Sequence, residues 1–301
     1  MPTTAIPEAH RPGALPLRHG ESLSWEARPL IMGVLNLTPD SFSDGGLWTD
    51  PAAAIEYAEE MVALGADILD LGAESTRPGG GVYGQGAELV PANLELSRLL
   101  PVLEAVRHKV PVPISVDTRK GLVARAALSA GADMINDISA LDDPELAAAV
   151  SEAGCPVVLM HSRGQLRSMQ KQIAFGNVTA EVTEDLKAKV DRALAYGVMR
   201  QQILIDPGIG FGKTVQQNLE LLRKLDVIKA LDLPVLVGAS RKSFIGEIAD
   251  SGAAERLSGS LAAVSWAAHH RAAVVRVHDV AETHQFLQVW QAIDSARGQT
   301  G

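Results

Sequence analysis

The sequence predicts a single α/β domain, a (β/α)8 TIM barrel preceded by a short N-terminal extension. Three observations predict it. Eight short apolar, strand-like runs alternate with eight helical patterns over 301 residues, and a barrel of this kind takes about 250 residues as one domain. Apolar residues make up 47% of the chain and aromatic ones only 4%, which suits the aliphatic core that buried parallel strands and their covering helices demand. Seven of the eight runs stop at a polar or charged residue, namely Asn36, Glu74, Asp117, Asn136, His161, Asp206 and Arg276, and the eighth stops at Gly238 with Ser240, Arg241 and Lys242 behind it. All strand ends of a closed barrel open on one face, so these groups are expected to meet there, as they do in enzymes. A doubly wound open sheet is the alternative architecture; eight βα units in succession favour closure.

Residues 1–28 are assigned to the extension and 29–297 to the barrel. The first 15 or so are expected to be loosely ordered, followed by a short hairpin near residues 22–28 that plugs the amino-terminal mouth. Strands are expected at 30–35, 68–71, 114–116, 134–135, 157–160, 203–205, 235–237 and 274–277, each short and apolar. Helices are expected at 52–64, 93–106, 121–130, 145–153, 179–196, 217–225, 255–269 and 282–296, where apolar residues recur at spacings of three and four. Asp50-Pro51 and Asp143-Pro144 place an N-cap before a proline at the first helical position. Gly65-Ala66-Asp67, Gly131-Ala132-Asp133 and Gly154-Cys155-Pro156 occupy helix-to-strand turns, where a glycine is expected after the last helical turn.

The net charge of −9 argues against nucleic acid as a partner, because polyanion binders carry a basic face. Residues 1–20 hold several prolines and no apolar leader core, and nowhere do about 18 apolar residues run together, so a cytoplasmic protein without a membrane partner is expected. The lone cysteine, Cys155, reads as a small buried residue in a reducing compartment.

The chemistry is expected at the strand ends. The first strand-to-helix loop, Asn36-Leu-Thr-Pro-Asp-Ser-Phe-Ser-Asp-Gly-Gly46, and the second, Glu74-Ser-Thr-Arg-Pro-Gly-Gly-Gly81, are polar and end in glycines, as loops that close over ligands do. Asp206-Pro-Gly-Ile-Gly-Phe-Gly-Lys-Thr214 invites a phosphate-loop reading, yet Gly208 and Gly212 stand one residue too close for it. Asp206 instead offers a carboxylate in a dry cleft, suited to gripping the N–C–N edge of a heterocycle; its alternative role is an N-cap or turn aspartate. Lys242 and Ser243 follow the seventh strand, and Arg276 and His278, two apart on one strand, face the same side. The loops after strands seven and eight often bind phosphate in barrels, so these donors, with Asn36 beside them, suit a metal-phosphate group. Asp117 and Asn136 are expected to add hydrogen bonds to a polar ring deep in the barrel, or else to satisfy backbone groups. No cluster has transition-metal spacing, so Mg2+ held mainly by a ligand's phosphates is the one metal to expect.

These residues resemble the bacterial dihydropteroate synthase family of pterin-binding enzymes. The likeness is carried by Met32-Gly-Val-Leu-Asn-Leu-Thr-Pro-Asp-Ser-Phe-Ser-Asp-Gly-Gly46, Asp70-Leu-Gly-Ala-Glu-Ser-Thr-Arg-Pro-Gly79, Ser115-Val-Asp-Thr118, Ile135-Asn-Asp-Ile138, Leu159-Met-His161, Asp206-Pro-Gly-Ile-Gly-Phe-Gly-Lys213, Gly238-Ala-Ser-Arg-Lys-Ser243 and Arg276-Val-His-Asp279. The resemblance implies condensation of (7,8-dihydropterin-6-yl)methyl diphosphate with 4-aminobenzoate, with Mg2+, in a homodimer. It implies that Asp206, Lys242, Arg276 and His278 carry catalysis, that Thr76, Asp117, Asn136, Asp206, Lys242, Arg276 and His278 bind the pterin diphosphate, and that Asn36 reaches the metal. Thr76, Arg77, Pro78, Phe211, Lys242 and Ser243 would line the aminobenzoate pocket. The sequence departs from the family around His161-Ser-Arg-Gly164 and over 165–178. Two other readings remain at this stage, a methyltetrahydrofolate methyltransferase and a catalytically silent pterin-binding paralogue; the two loop motifs and the Arg276–His278 pair favour the synthase.

Overall fold

The computed structural model describes residues 13–38, 51–75, 89–164 and 173–296. Among them, β1 (Ala14–Pro16) and β2 (Ser22–Ser24) form an antiparallel hairpin. It starts earlier in the chain than the sequence suggests, because its first strand is only three residues long and lies inside a proline-rich stretch that shows no strand pattern.

The barrel strands are β3 (Leu30–Asn36), β4 (Ile68–Gly72), β5 (Ile114–Asp117), β6 (Met134–Asp137), β7 (Val157–Met160), β8 (Ile203–Asp206), β9 (Leu236–Val237) and β10 (Val274–Val277). They are all parallel, in the order β8-β7-β6-β5-β4-β3-β10-β9. A bridge between Ile205 and Val235 spans the seam between β8 and β9 and completes the ring. The (β/α)8 architecture read from the alternating pattern is therefore the observed one.

Around the strands lie α1 (Pro51–Ala63), α2 (Ala92–Arg107), α3 (Gly121–Ser129), α4 (Pro144–Ala153), α5 (Val178–Ala195), α6 (Val215–Arg223), α7 (Leu225–Lys229), α8 (Ser243–Ala249), α9 (Leu257–His269) and α10 (Val280–Ala296). Asp143 caps α4 by accepting from the Glu145 N–H, with Pro144 behind it as expected, whereas Asp50 lies outside the described residues. The helix expected over 217–225 is two elements, α6 and α7, and α8 has no counterpart in the expectation. Helices of five and seven residues are too short to display a 3.6-residue period.

Side-chain alternation along the strands divides the apolar core in two. Ile31, Leu35, Leu69, Leu71, Val116, Ile135, Leu159, Ile205 and Val275 point outward and pack with the helices. Leu30, Met32, Ile68, Met134, Val158, Leu204, Leu236 and Val274 point inward and fill the lower barrel. The hairpin closes this inner core from below: Leu15 is fully buried in it, with Leu23 and Trp25 packed alongside. Burying one leucine contributes about 2 kcal/mol, and the hairpin gains a further anchor from Arg18, whose guanidinium donates to the carbonyls of Leu128 and Ala132 at 2.8 and 2.9 Å, in the last turn of α3 and just beyond it.

The repeated Gly-Ala-Asp turns have a shared purpose. Asp67 accepts from the Ile31 N–H at 2.7 Å and pairs with Arg28, while Asp133 accepts from the Ile114 N–H at 2.8 Å and pairs with Arg107. Each carboxylate thus satisfies a backbone donor near the start of the neighbouring strand. Cys155 is buried, and burial pushes its thiol up to about 12, as befits an inert packing residue. Among the described residues, no helix is long and apolar enough to cross a membrane.

Candidate active site

The alternation that points Ile68, Met134, Leu204 and Val274 into the lower barrel also aims the residues two positions later, Asp70, Asn136, Asp206 and Arg276, into its upper half. There the barrel opens into a cleft lined by Asp117, Asn136, Ile138, Met160, Asp206, Phe211, Gly238, Ser240, Lys242, Arg276 and His278. Seven of the residues expected to form the site, Asp117, Asn136, Asp206, Phe211, Lys242, Arg276 and His278, thus line one cleft. Asn36 ends β3, beside β10, and Ser243 opens α8 directly behind Lys242, but neither is part of that lining. Thr76, Arg77 and Pro78 lie outside the described residues, as do most of the loop after β3 and residues 165–172.

One side of the cleft is apolar and the other charged. Ile138, Met160 and Phe211 form a small buried cluster of their own, and the Lys242 ammonium sits 4.1 Å from the centre of the Phe211 ring, within cation–π range. Facing them is a buried charge network. Arg276 donates from Nε to Asp70 Oδ2 at 2.6 Å and from Nη2 to Asp117 Oδ2 at 3.0 Å, and Asn136 Nδ2 donates to Asp70 Oδ2 at 3.1 Å. Asp117 and Asn136 therefore engage other side chains rather than the backbone. Asp117 Oδ1 and Asp70 Oδ1 are buried without a donor among the described residues. A buried acceptor left unpaired is costly unless a ligand completes it.

Asp206 is a turn aspartate, the alternative role read from the sequence, and it also lines the cleft. Its Oδ1 accepts from the Gly208 N–H at 2.7 Å. Burial raises Asp206 to about 6 against the pull of Gly208, Lys242, Lys213 and Arg276, and burial likewise raises Asp117 to about 7, opposed by Arg276 and assisted by Asp70. Lys242 falls to about 8 through burial and the nearby Arg276 charge. For Arg276 burial works against the charge, yet Asp70 and Asp117 more than offset it and keep the guanidinium ionised. Such perturbed groups gathered in one cleft mark a functional site.

His278 is held neutral, pushed down to about 3 by burial, Arg276, Arg241 and Lys242. The Ser240 hydroxyl accepts from the His278 backbone N–H at 3.3 Å and lies 3.1 Å from Nδ1. We assign the hydroxyl proton to that second contact, which leaves Nε2–H as the ring's free donor.

Two strand-end residues turn away from the cleft. Glu74 accepts from Arg119, Lys120 and the Val90 N–H, and His161 is buried against Lys213 and Asp185. Conversely, Asp70 and Lys213 stand within quoted motifs without a role read from the sequence. Asp70 carried a usable signal, since a carboxylate at an inward-facing position of a buried strand must meet a cation inside the barrel.

The donor set near β3 fits a magnesium ion in a limited way. Among the described residues no three His, Cys, Asp or Glu side chains converge to hold a metal. Asn36 offers one neutral oxygen, and Gly72 beside it leaves open the space between Asn36 Oδ1 and Asp117, 3.8 and 3.5 Å from where a Cβ would stand. A single hard oxygen donor suits Mg2+ that is otherwise held by water and phosphate.

Comparison with known proteins gives a consistent picture. The family model described as pterin binding enzyme matches residues 32–278. The chain is 46% identical to the dihydropteroate synthase of Synechocystis sp. over 281 residues, covering 92% of this chain and 95% of that protein. Its fold is similar to the Yersinia pestis dihydropteroate synthase in a sulfonamide drug complex, with a TM-score of 0.88 and 39% identity over 94% of this chain and 99% of that one. It is also similar to the Xanthomonas albilineans dihydropteroate synthase, with a TM-score of 0.85 and 42% identity for the structure holding 4-aminobenzoic acid, covering 94% and 99% of the two chains. For the structure of that protein with 7,8-dihydropteroate the TM-score is 0.80 at 37% identity, covering 94% and 98%.

Proposed function

Because the chain belongs to the pterin-binding enzyme family, we infer that it acts as a dihydropteroate synthase, a transferase joining (7,8-dihydropterin-6-yl)methyl diphosphate to 4-aminobenzoate to give 7,8-dihydropteroate and diphosphate. The observation that carries this reading is the cleft itself: a buried carboxylate, Asp206, in one lining with the cations Arg276 and Lys242 and the apolar side chains Ile138, Met160 and Phe211.

In this reading the pterin ring enters edge first. Asp206 accepts from its N–C–N edge, the unpaired Asp117 Oδ1 accepts a further ring N–H, and Asn136 adds a hydrogen bond. Ile138 and Met160 cover the ring's apolar surface. The diphosphate meets Arg276, the Nε2–H of neutral His278, and Thr76. Breaking the CH2–O bond sends its electron pair out with the diphosphate and leaves a cation delocalised into the dihydropterin. Arg276 and His278 stabilise the departing negative charge, while Asp206 offsets the positive charge that develops on the ring. Magnesium, held by Asn36 and the diphosphate oxygens, would supply further charge neutralisation to the leaving group.

The arylamine of 4-aminobenzoate is uncharged at neutral pH and attacks through its nitrogen lone pair, forming the C–N bond and then losing one proton. No strong general base is required. Phe211, Lys242, Ser243, Thr76, Arg77 and Pro78 would hold the aminobenzoate so that its nitrogen faces the CH2 group.

We further propose a cytoplasmic homodimer. The buried, unpaired thiol of Cys155 suits a reducing compartment, and Trp266 on α9 with Val289 and Ile293 on α10 offers exposed apolar surface for a second copy. Small-angle scattering measures the oligomeric state directly. The function is tested by following diphosphate release with both substrates and Mg2+; well-folded protein giving no aminobenzoate-dependent product would overturn it.

A further inference from the structure

His161 ends β7 like a site residue but turns away from the cleft, and Lys213 is a buried cation the chemistry above leaves idle. They touch. Lys213 is 3% exposed, and its ammonium donates to the carbonyls of Gly208 at 2.8 Å and Phe211 at 2.9 Å, with His161 Nδ1 at 3.0 Å as its third partner. Three donors thus meet three acceptors, with none left over. On the other side of the ring, His161 Nε2 lies 3.2 Å from Asp185 Oδ2. A carboxylate can only accept, so Nε2 carries the proton and Nδ1 is free to accept from the lysine. The backbone joins in as well: the His161 N–H donates to the Asp206 carbonyl at 2.8 Å.

We propose that Lys213 and His161 are positioning residues, a buried brace that sets the loop after β8 so that Phe211 forms the wall against which 4-aminobenzoate docks beside the pterin. The proposal rests on the synthase reading above. The loop is folded around the ammonium: Lys213 holds Gly208 and Phe211 by their carbonyls, and His161 fixes the ammonium from the neighbouring strand. The turn packs tightly on the strand end. Gly208 has φ +65°, and a Cβ there would stand 1.9 Å from the His161 carbonyl oxygen, so the loop and the end of β7 are in direct contact. Burial and the Lys213 and Lys189 charges push His161 down to about 3, leaving a neutral ring with an available lone pair, while burial pushes Lys213 itself down to about 7, so the brace holds its full set of donors below that pH.

The test uses the full chain and steady-state kinetics in both substrates. In Lys213→Met, KM for 4-aminobenzoate should rise by about tenfold or more, the consequence of losing buried charge-assisted hydrogen bonds that hold its wall. KM for the pterin diphosphate should change much less, because Asp206 is anchored within β8. His161→Asn places a side-chain oxygen near the position of Nδ1 and should restore most of the aminobenzoate affinity that His161→Leu loses. Adding Lys213→Met to Phe211→Ala should cost little beyond the single Phe211 change.

Hydrogen exchange over 207–212, which needs no substrate, should quicken in Lys213→Met and His161→Leu but not in His161→Asn. Wild-type protein without turnover would sink the synthase reading and leave the exchange data to decide the brace. Unchanged aminobenzoate KM in an active Lys213→Met enzyme, or His161→Asn behaving no better than His161→Leu, would overturn the brace. If Lys213→Met does not fold, the two His161 variants carry the same decision.

Discussion

Replacing Asp206 by asparagine separates holding the pterin from holding the fold. In the native loop Asp206 Oδ1 takes the Gly208 N–H at 2.7 Å, and the carboxylate lines the cleft. An asparagine that keeps its oxygen on Gly208 turns its NH2 group toward two ligand N–H donors; one that flips sets NH2 against the Gly208 N–H instead. Either way a donor faces a donor. Two charge-assisted hydrogen bonds at about 1.5 kcal/mol each give a loss of about 3 kcal/mol, roughly a hundredfold in Kd.

Stability should move differently. Burial lifts the folded pKa of Asp206 from 3.8 to about 6, so the stability this group contributes is fully present below about pH 4 and is lost as pH rises through about 6. At pH 7 the ionised carboxylate is therefore a burden on the free protein, and the asparagine variant should melt no lower than wild type. Calorimetric titration with a pterin ligand and a thermal melt at pH 7 measure the two quantities. Unchanged pterin affinity would refute the role, and a marked fall in melting temperature would show that the carboxylate serves the fold.

The rate for the pterin substrate, as kcat/KM, should follow a bell-shaped pH profile: it falls from about pH 7 to below about pH 6 as Asp117 and then Asp206 gain protons, and above about pH 8 as Lys242 loses its own; Asp206→Asn should remove the step near pH 6 and leave the basic limb in place. Arg276→Ala should cut turnover and also lower the melting temperature, because breaking a buried ion pair costs about 3–5 kcal/mol when the partner charges stay behind. Adding Asp70→Asn to it should recover part of the stability and none of the turnover; equal recovery of both would remove Arg276 from the chemistry. Chelating Mg2+ should abolish diphosphate release and leave the melting temperature of the free protein unchanged, since a single Asn36 oxygen makes no resident metal site; a large fall on chelation would point to a structural ion.

Much of this molecule was legible in the chain because strand ends and alternation are local signals. Asp117, Asn136, Asp206 and Arg276 each end an apolar run at an inward position, and that parity alone gathers them in the cleft. Glu74 and His161 end runs too, yet their partners, Arg119 and Lys120 in one case and Lys213 and Asp185 in the other, are set by tertiary packing that no spacing encodes. Lys213 was hidden by its setting, since a lysine in a glycine-rich loop invites a phosphate reading when it instead holds the loop's own carbonyls. The short α7 and α8 fall below the length at which periodicity speaks, and β1 has only three residues.

The hairpin below the barrel bears on traffic. With Leu15 filling the lower opening and Arg18 tethered to carbonyls 110 and 114 residues further along, the barrel is, among the described residues, a cup with a single mouth. Two substrates and two products must use the same doorway, and whichever lies deeper cannot leave first. In the proposed arrangement, with the pterin on Asp206 beneath the aminobenzoate, the pterin is expected to bind first, and the departing diphosphate and the finished dihydropteroate to share one exit. A closed base also leaves water only one approach to the short-lived cation, from the side where the incoming amine stands in its way.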